Sequence, residues 1–85
     1  MATNQRSIED RVRTIIVEAL CVDATEVTPR ATLREDLGAD SMDMSELGLH
    51  LEEAFDFQLD DAEGDALVTV ADVVLLVEEK TAGVQ

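Results

Sequence analysis

The reading of this chain turns on "LGADSMDMSEL", residues 37–47, where one serine lies between two aspartates, just after a glycine and at the head of an apolar run. Gly38 permits a tight or left-handed backbone before that run. Asp40 suits a helix N-cap, and Asp43, three residues on, supplies a short version of the capping box. The spacing predicts a helix that starts at residue 40 or 41 and runs to about residue 55. Its inward stripe is Met44, Leu47, Gly48, Leu51, Ala54 and Phe55; Met42, Asp43, Glu46, Leu49, His50 and Glu53 fall on the outward face.

On the N-terminal side, "SIEDRVRTIIVEAL" predicts another helix. Ser7 is its N-cap, Glu9 and Asp10 suit its positive end, and it ends near Cys21. Ile8, Val12, Ile15, Ile16, Ala19 and Leu20 form its apolar stripe. Between the two helices runs "CVDATEVTPRATLRED", with Pro29 pushing Thr28 out of helical geometry. So long a connection is not idle in a small domain; Val27, Leu33 and Leu37 are expected to pin it to the core. On the C-terminal side, "DFQLDDAEGDALVT" turns the chain, with Leu59 and Leu67 buried and a short helix from about residue 61 to 66. "TVADVVLLVEEK" is the last helix, capped by Thr69 with Asp72 three residues later. Val70, Val73, Val74 and Val77 point inward; their 3–4 spacing favours helix over the strand that β-branching alone would suggest. Lys80 suits its negative end, and Gly83 follows it. The expected fold is an all-α, small four-helix bundle of three main helices plus one short one, with a long first loop.

The 85 residues are enough for one small domain, 1–85, with residues 1–6 and 82–85 expected to be flexible ends. Apolar residues make up 46% of the chain, yet Phe55 and Phe57 are its only aromatics, so the core must be aliphatic. The net charge of −14 argues against nucleic acid and against an anionic membrane. That charge is unevenly spread. Residues 1–34 hold five bases and five acids, whereas residues 35–85 hold fifteen acids and one base, Lys80. This acidic half is either a solubility device or a landing surface for basic partners. Cys21 is the only cysteine, no apolar run spans a membrane, and "MATNQRSIED" lacks a signal-peptide core, so a cytoplasmic protein is expected.

Ser41 has three readings. It is a helix-start residue with no further role, a nucleophile, or a modification site. A nucleophile needs a nearby base, and the only histidine, His50, lies nine residues on, roughly 13 Å along the same helix. Nothing near Ser41 would stabilise an oxyanion, so no enzyme is expected. A phosphodiester at Ser41 would meet the free N–H groups of a helix start. The surrounding acids make sense if they recruit a basic enzyme that delivers the phosphate and leaves.

"LGADSMDMSEL" resembles the attachment motif of acyl carrier proteins. The resemblance extends over "IEDRVRTIIVEAL", "EVTPRATLREDLGADS", "LEEAFDFQLDDAE" and "TVADVVLLVEEK", nearly the whole chain. It implies 4′-phosphopantetheine on Ser41, installed from coenzyme A by a carrier-protein synthase (a phosphopantetheinyl transferase) that recognises Asp40. It implies acyl groups riding as thioesters on the arm, a cleft between helices that shelters longer chains, and delivery to enzymes of fatty acid, lipid or polyketide synthesis. By position, it assigns docking of the basic surfaces of those enzymes to Asp40, Met42, Asp43, Glu46, Leu49, Glu52 and Glu53. It also implies a free-standing monomer. The alternatives are a D-alanyl or other aminoacyl carrier, since some of those read DSM, and an acidic helical adaptor with no prosthetic group.

Several positions depart from the family pattern. Met42 stands for the commoner Leu. Gly48 stands for a branched apolar residue, the space it leaves being filled by Met44 or else reshaping the acyl cleft. His50 stands for Ala, Cys21 for a helix-ending Gly, where it is expected half-buried and unreactive, and Asp60 for Pro. "DFQLDDAEGDAL" mimics a calcium loop, but its sixth residue is Asp61, not Gly, and its twelfth is Leu67, not Glu. No metal site is expected.

Overall fold

The computed structural model describes residues 8–81. Ser7 as a cap, Gly83 and the two terminal stretches therefore lie outside the described residues. The helices are α1 (Ile8–Leu20), α2 (Ser41–Phe55), α3 (Asp61–Asp65) and α4 (Val70–Thr81), with a 3₁₀ turn at Ala24–Glu26. Among the described residues there is no strand, only an isolated antiparallel bridge between Thr32 and Thr69. Helix α1 packs on α2 and α4, and α2 packs on α4; α3 stands outside this three-way contact.

The helix ends follow local chemistry. Asp60 caps α3 and Glu63 returns the bond, at 2.8 and 3.2 Å. Thr69 Oγ1 accepts the Asp72 N–H at 3.2 Å, while Asp72 Oδ2 accepts the N–H groups of Thr69 and Val68 at 3.0 and 3.1 Å. These carboxylates satisfy donors that a helix start leaves unpaired. Lys80 occupies the last turn of α4, and its Nζ reaches Glu63 Oε2 at 2.6 Å, tying α4 to α3. Helix α1 ends at Cys21, whose φ of 57° is the left-handed conformation that glycine adopts most easily. That turn lifts Cys21 to the surface, so it is exposed rather than half-buried.

The core is aliphatic: Val12 and Ile16 from α1, Leu47 and Leu51 from α2, and Val70, Val73 and Val77 from α4 are all buried. The long α1–α2 connection supplies Val27, Ala31, Leu33, Leu37 and Ala39, five of the thirteen buried apolar residues among those described, so it belongs to the core as much as any helix. Its backbone is paired accordingly. Leu33 N–H donates to Val68 C=O at 2.8 Å, Val70 N–H to Ala31 C=O at 3.0 Å, and Ala71 N–H to Pro29 C=O at 3.0 Å. Arg13 donates to the carbonyls of Val27 and Ala24 at 3.0 and 3.1 Å, holding the loop to α1.

Two inward assignments need correction. Leu59 is half-buried, because it flanks an open cleft described below. Ala54 is exposed. Phe55, four residues after Leu51, turns about 40° from it, whereas Ala54, three after, turns about 60° the other way. Phe55 therefore takes the core contact, with the Arg11 guanidinium 4.3 Å from its ring centre and donating to Ala54 C=O at 3.0 Å.

Candidate functional site

The start of α2 resolves what Ser41 does for the fold. The N-cap is Asp40, in extended backbone (φ −98°, ψ −173°). Its Oδ1 accepts the Asp43 N–H at 2.9 Å, and Asp43 Oδ2 accepts the Asp40 N–H at 3.2 Å. Gly38, at φ 76°, makes the bend that delivers the chain to this cap. Ser41 is thus the first residue inside the helix. It is exposed, and its hydroxyl bonds to nothing among the described residues. The capping explanation belongs to its neighbour.

The face predicted to point outward does so. Met42 is 70% and Leu49 59% exposed, and Glu46, His50 and Glu53 are exposed around them. Two of the acids grouped with this face are partly committed to the fold. Asp43 is half-buried in the capping box, and half-buried Glu52 accepts the Leu59 N–H through Oε2 at 2.7 Å. His50 borders a shallow hollow with Ile15, Glu18 and Glu53. Among the described residues no cluster of His, Cys, Asp and Glu could hold a metal ion.

A cleft of about 490 Å³ opens beside Ser41 between α2 and α3, lined by Met44, Gly48, Leu49, Leu59, Gly64 and Leu67, with Arg34 and several carboxylates at its edges. That volume lies in the range of small-molecule sites, roughly 300–1,000 Å³. The space over Gly48 is filled by Leu59, not Met44: a Cβ at Gly48 would meet Leu59 Cδ2 at 3.4 Å and no side-chain atom of Met44 within 4 Å. Sequence spacing pairs Met44 with Gly48 on one helix but cannot see a leucine arriving from the turn beyond. Arg34, Leu59 and Gly64 escape sequence reasoning as cleft residues for the same reason: no motif marks them, and only the fold sets them opposite α2.

An uncommitted serine at a helix start, an acidic face with two exposed apolar residues and a cleft alongside describe a carrier domain with an attachment point. A family profile described as "phosphopantetheine attachment site" matches residues 10–77. The chain is 45% identical over 74 residues to an acyl carrier protein of Chlamydia caviae, covering 87% of this chain and 96% of that protein. It is 47% identical over 76 residues to an acyl carrier protein of Akkermansia muciniphila, covering 89% and 95%. The chain belongs to the acyl carrier protein family. It is a carrier rather than an enzyme, with a phosphopantetheine prosthetic group, and its general role is delivery of acyl groups in fatty acid synthesis to synthases and other acyl-processing enzymes. Among the described residues no helix is long and apolar enough to cross a membrane.

Proposed function

We propose that Ser41 is the residue that carries the 4′-phosphopantetheine arm, through a phosphodiester on its hydroxyl. One observation carries this reading: Asp40 does the capping, so Ser41 is left exposed at the positive end of α2 with a hydroxyl that bonds to nothing among the described residues. The terminal thiol of the arm, once attached, holds acyl groups as thioesters. The chain itself places the attachment point, presents a docking face and offers a cleft for the cargo.

That docking face is Met42, Glu46, Leu49 and Glu53, with Asp40, Asp43 and Glu52 adding charge at its margins. Glu46 and Glu53 steer basic partner surfaces; Met42 and Leu49 supply apolar contact after the encounter. The first such partner is a phosphopantetheinyl transferase using coenzyme A, and the carrier acts as a cytoplasmic monomer.

The test is intact mass after incubation with coenzyme A, Mg²⁺ and a broad-specificity transferase. Wild type gains one phosphopantetheine and Ser41→Ala gains none. A gain on Ser41→Ala would move the attachment elsewhere, and no gain on folded wild type would end the reading.

A further inference from the structure

Two glycines face one leucine across the cleft. A Cβ at Gly48 on α2 would lie 3.4 Å from Leu59 Cδ2, and one at Gly64 on α3 would lie 3.9 Å from the same carbon; neither would meet another side chain within 4 Å beyond its chain neighbours. Both distances are ordinary van der Waals contacts, and neither glycine has a positive φ. The packing of the fold therefore does not require glycine at either position, and alanine is the better helix former. What the two glycines provide is room, on both walls, at the level of Leu59.

Leu59 itself is held at its backbone, and its side chain lies outside the buried core cluster. Its N–H donates to Glu52 Oε2 at 2.7 Å, while the side chain is half-buried beside the open cleft. Helix α3, which carries Gly64, stands outside the packing of the three long helices. A rotamer change at Leu59 would open the gap between the glycines without moving the core.

Building on the carrier reading, we propose that Gly48, Gly64 and Leu59 set which acyl group this cleft shelters: Leu59 turns aside, and the gap takes a methyl-branched acyl chain in preference to its straight isomer. A straight chain at this level leaves a void on one or both walls, and a void forfeits the dispersion contacts of its lining. A branch methyl fills it.

The test loads Ser41 with acyl-phosphopantetheine from synthetic acyl-coenzyme A thioesters, pairing hexanoyl with 4-methylpentanoyl and octanoyl with 6-methylheptanoyl, each verified by intact mass. Melting temperature is then measured for wild type, for Gly64→Ala and for the Gly48→Ala/Gly64→Ala double variant. In wild type, the branched member of at least one pair raises Tm more than the straight member. In the alanine variants the unloaded Tm is equal or higher and the branched excess shrinks, then disappears in the double variant. Equal increments for both isomers in loaded wild type, or an excess that survives both alanines, would overturn the inference and leave the carrier reading intact. Failure to load wild type at all would overturn both.

Discussion

At the residue scale, Asp40 and Ser41 divide between them two jobs that sequence alone assigns ambiguously. Asp40 supplies the oxygen that the Asp43 N–H needs, and loss of an N-cap acceptor typically costs about 1 kcal/mol. The Ser41 hydroxyl, one residue on, bonds to nothing among the described residues. Asp40→Ala should therefore lower unfolding free energy by about 1 kcal/mol, whereas Ser41→Ala should change it by less than about 0.5 kcal/mol, the usual range for uninvolved surface positions. Denaturant unfolding of the two variants checks this, and equal losses would show that the hydroxyl is structural after all. Cys21 teaches the complementary lesson. Its identity reads as a small half-buried apolar residue, but a backbone at φ 57° puts it on the surface. No local signal in a cysteine announces a left-handed turn.

At the scale of elements, the boundaries of α2, α3 and α4 are set by reciprocal carboxylate caps, and those caps make the fold pH-dependent. The N–H groups of Thr69 and Val68 on Asp72 hold its carboxyl below the usual aspartate range. Lys80, followed by the Asp60 backbone bond, does the same for Glu63, and Glu63 in turn raises Lys80. A depressed carboxylate stabilises the fold above its unfolded pKa and loses that contribution as pH falls through its folded value. The raised Lys80 works in the opposite sense, its contribution present below its unfolded pKa and lost as pH rises through the folded one. The Tm difference between wild type and Asp72→Ala is therefore expected to hold steady from neutral pH to about pH 5 and to shrink below about pH 4, near the ordinary aspartate pKa. A difference that grows on acidification would refute this. The α1–α2 connection makes another point at this scale. Val27, Leu33 and Leu37 were legible as anchors because they are large and apolar among polar neighbours. Ala31, Ala39, the 3₁₀ turn and the bridge to Thr69 were not, since small residues and backbone pairing leave no periodic trace.

At the scale of the whole molecule, the charge of −14 has a structural counterpart. Arg11 and Arg13, in the electrically balanced first part, spend their guanidinium groups on carbonyls of the C-terminal end of α2 and of the loop. Of the acids of α2, Glu46 and Glu53 meet no partner among the described residues, whereas Asp43 and Glu52 accept the N–H groups of Asp40 and Leu59. Like-charge repulsion on that scale should make the fold salt-sensitive, because the screening length falls from about 30 Å at 0.01 M to about 8 Å at 0.15 M. Tm is expected to rise over that range, and a flat profile would count against repulsion as a limit on stability. For docking, Glu46→Lys with Glu53→Lys should slow phosphopantetheine transfer about tenfold or more at low salt, the gap to wild type closing as salt rises. Leu49→Ala should slow it with little salt dependence, since the contact it removes is apolar. Transfer kinetics at several ionic strengths separate the two. The sequence by itself determined the helices, the caps of α2 and α4, the place of Ser41 at a helix start and the acidic face, because each is written in residues three or four apart on one element. Only the tertiary structure decided that Leu59 rather than Met44 lies over Gly48, that Gly64 stands across from it, and that Arg34 borders the same cleft. Those neighbours come from different elements, and which elements meet is settled by burial of the shared aliphatic core rather than by any pattern within one segment.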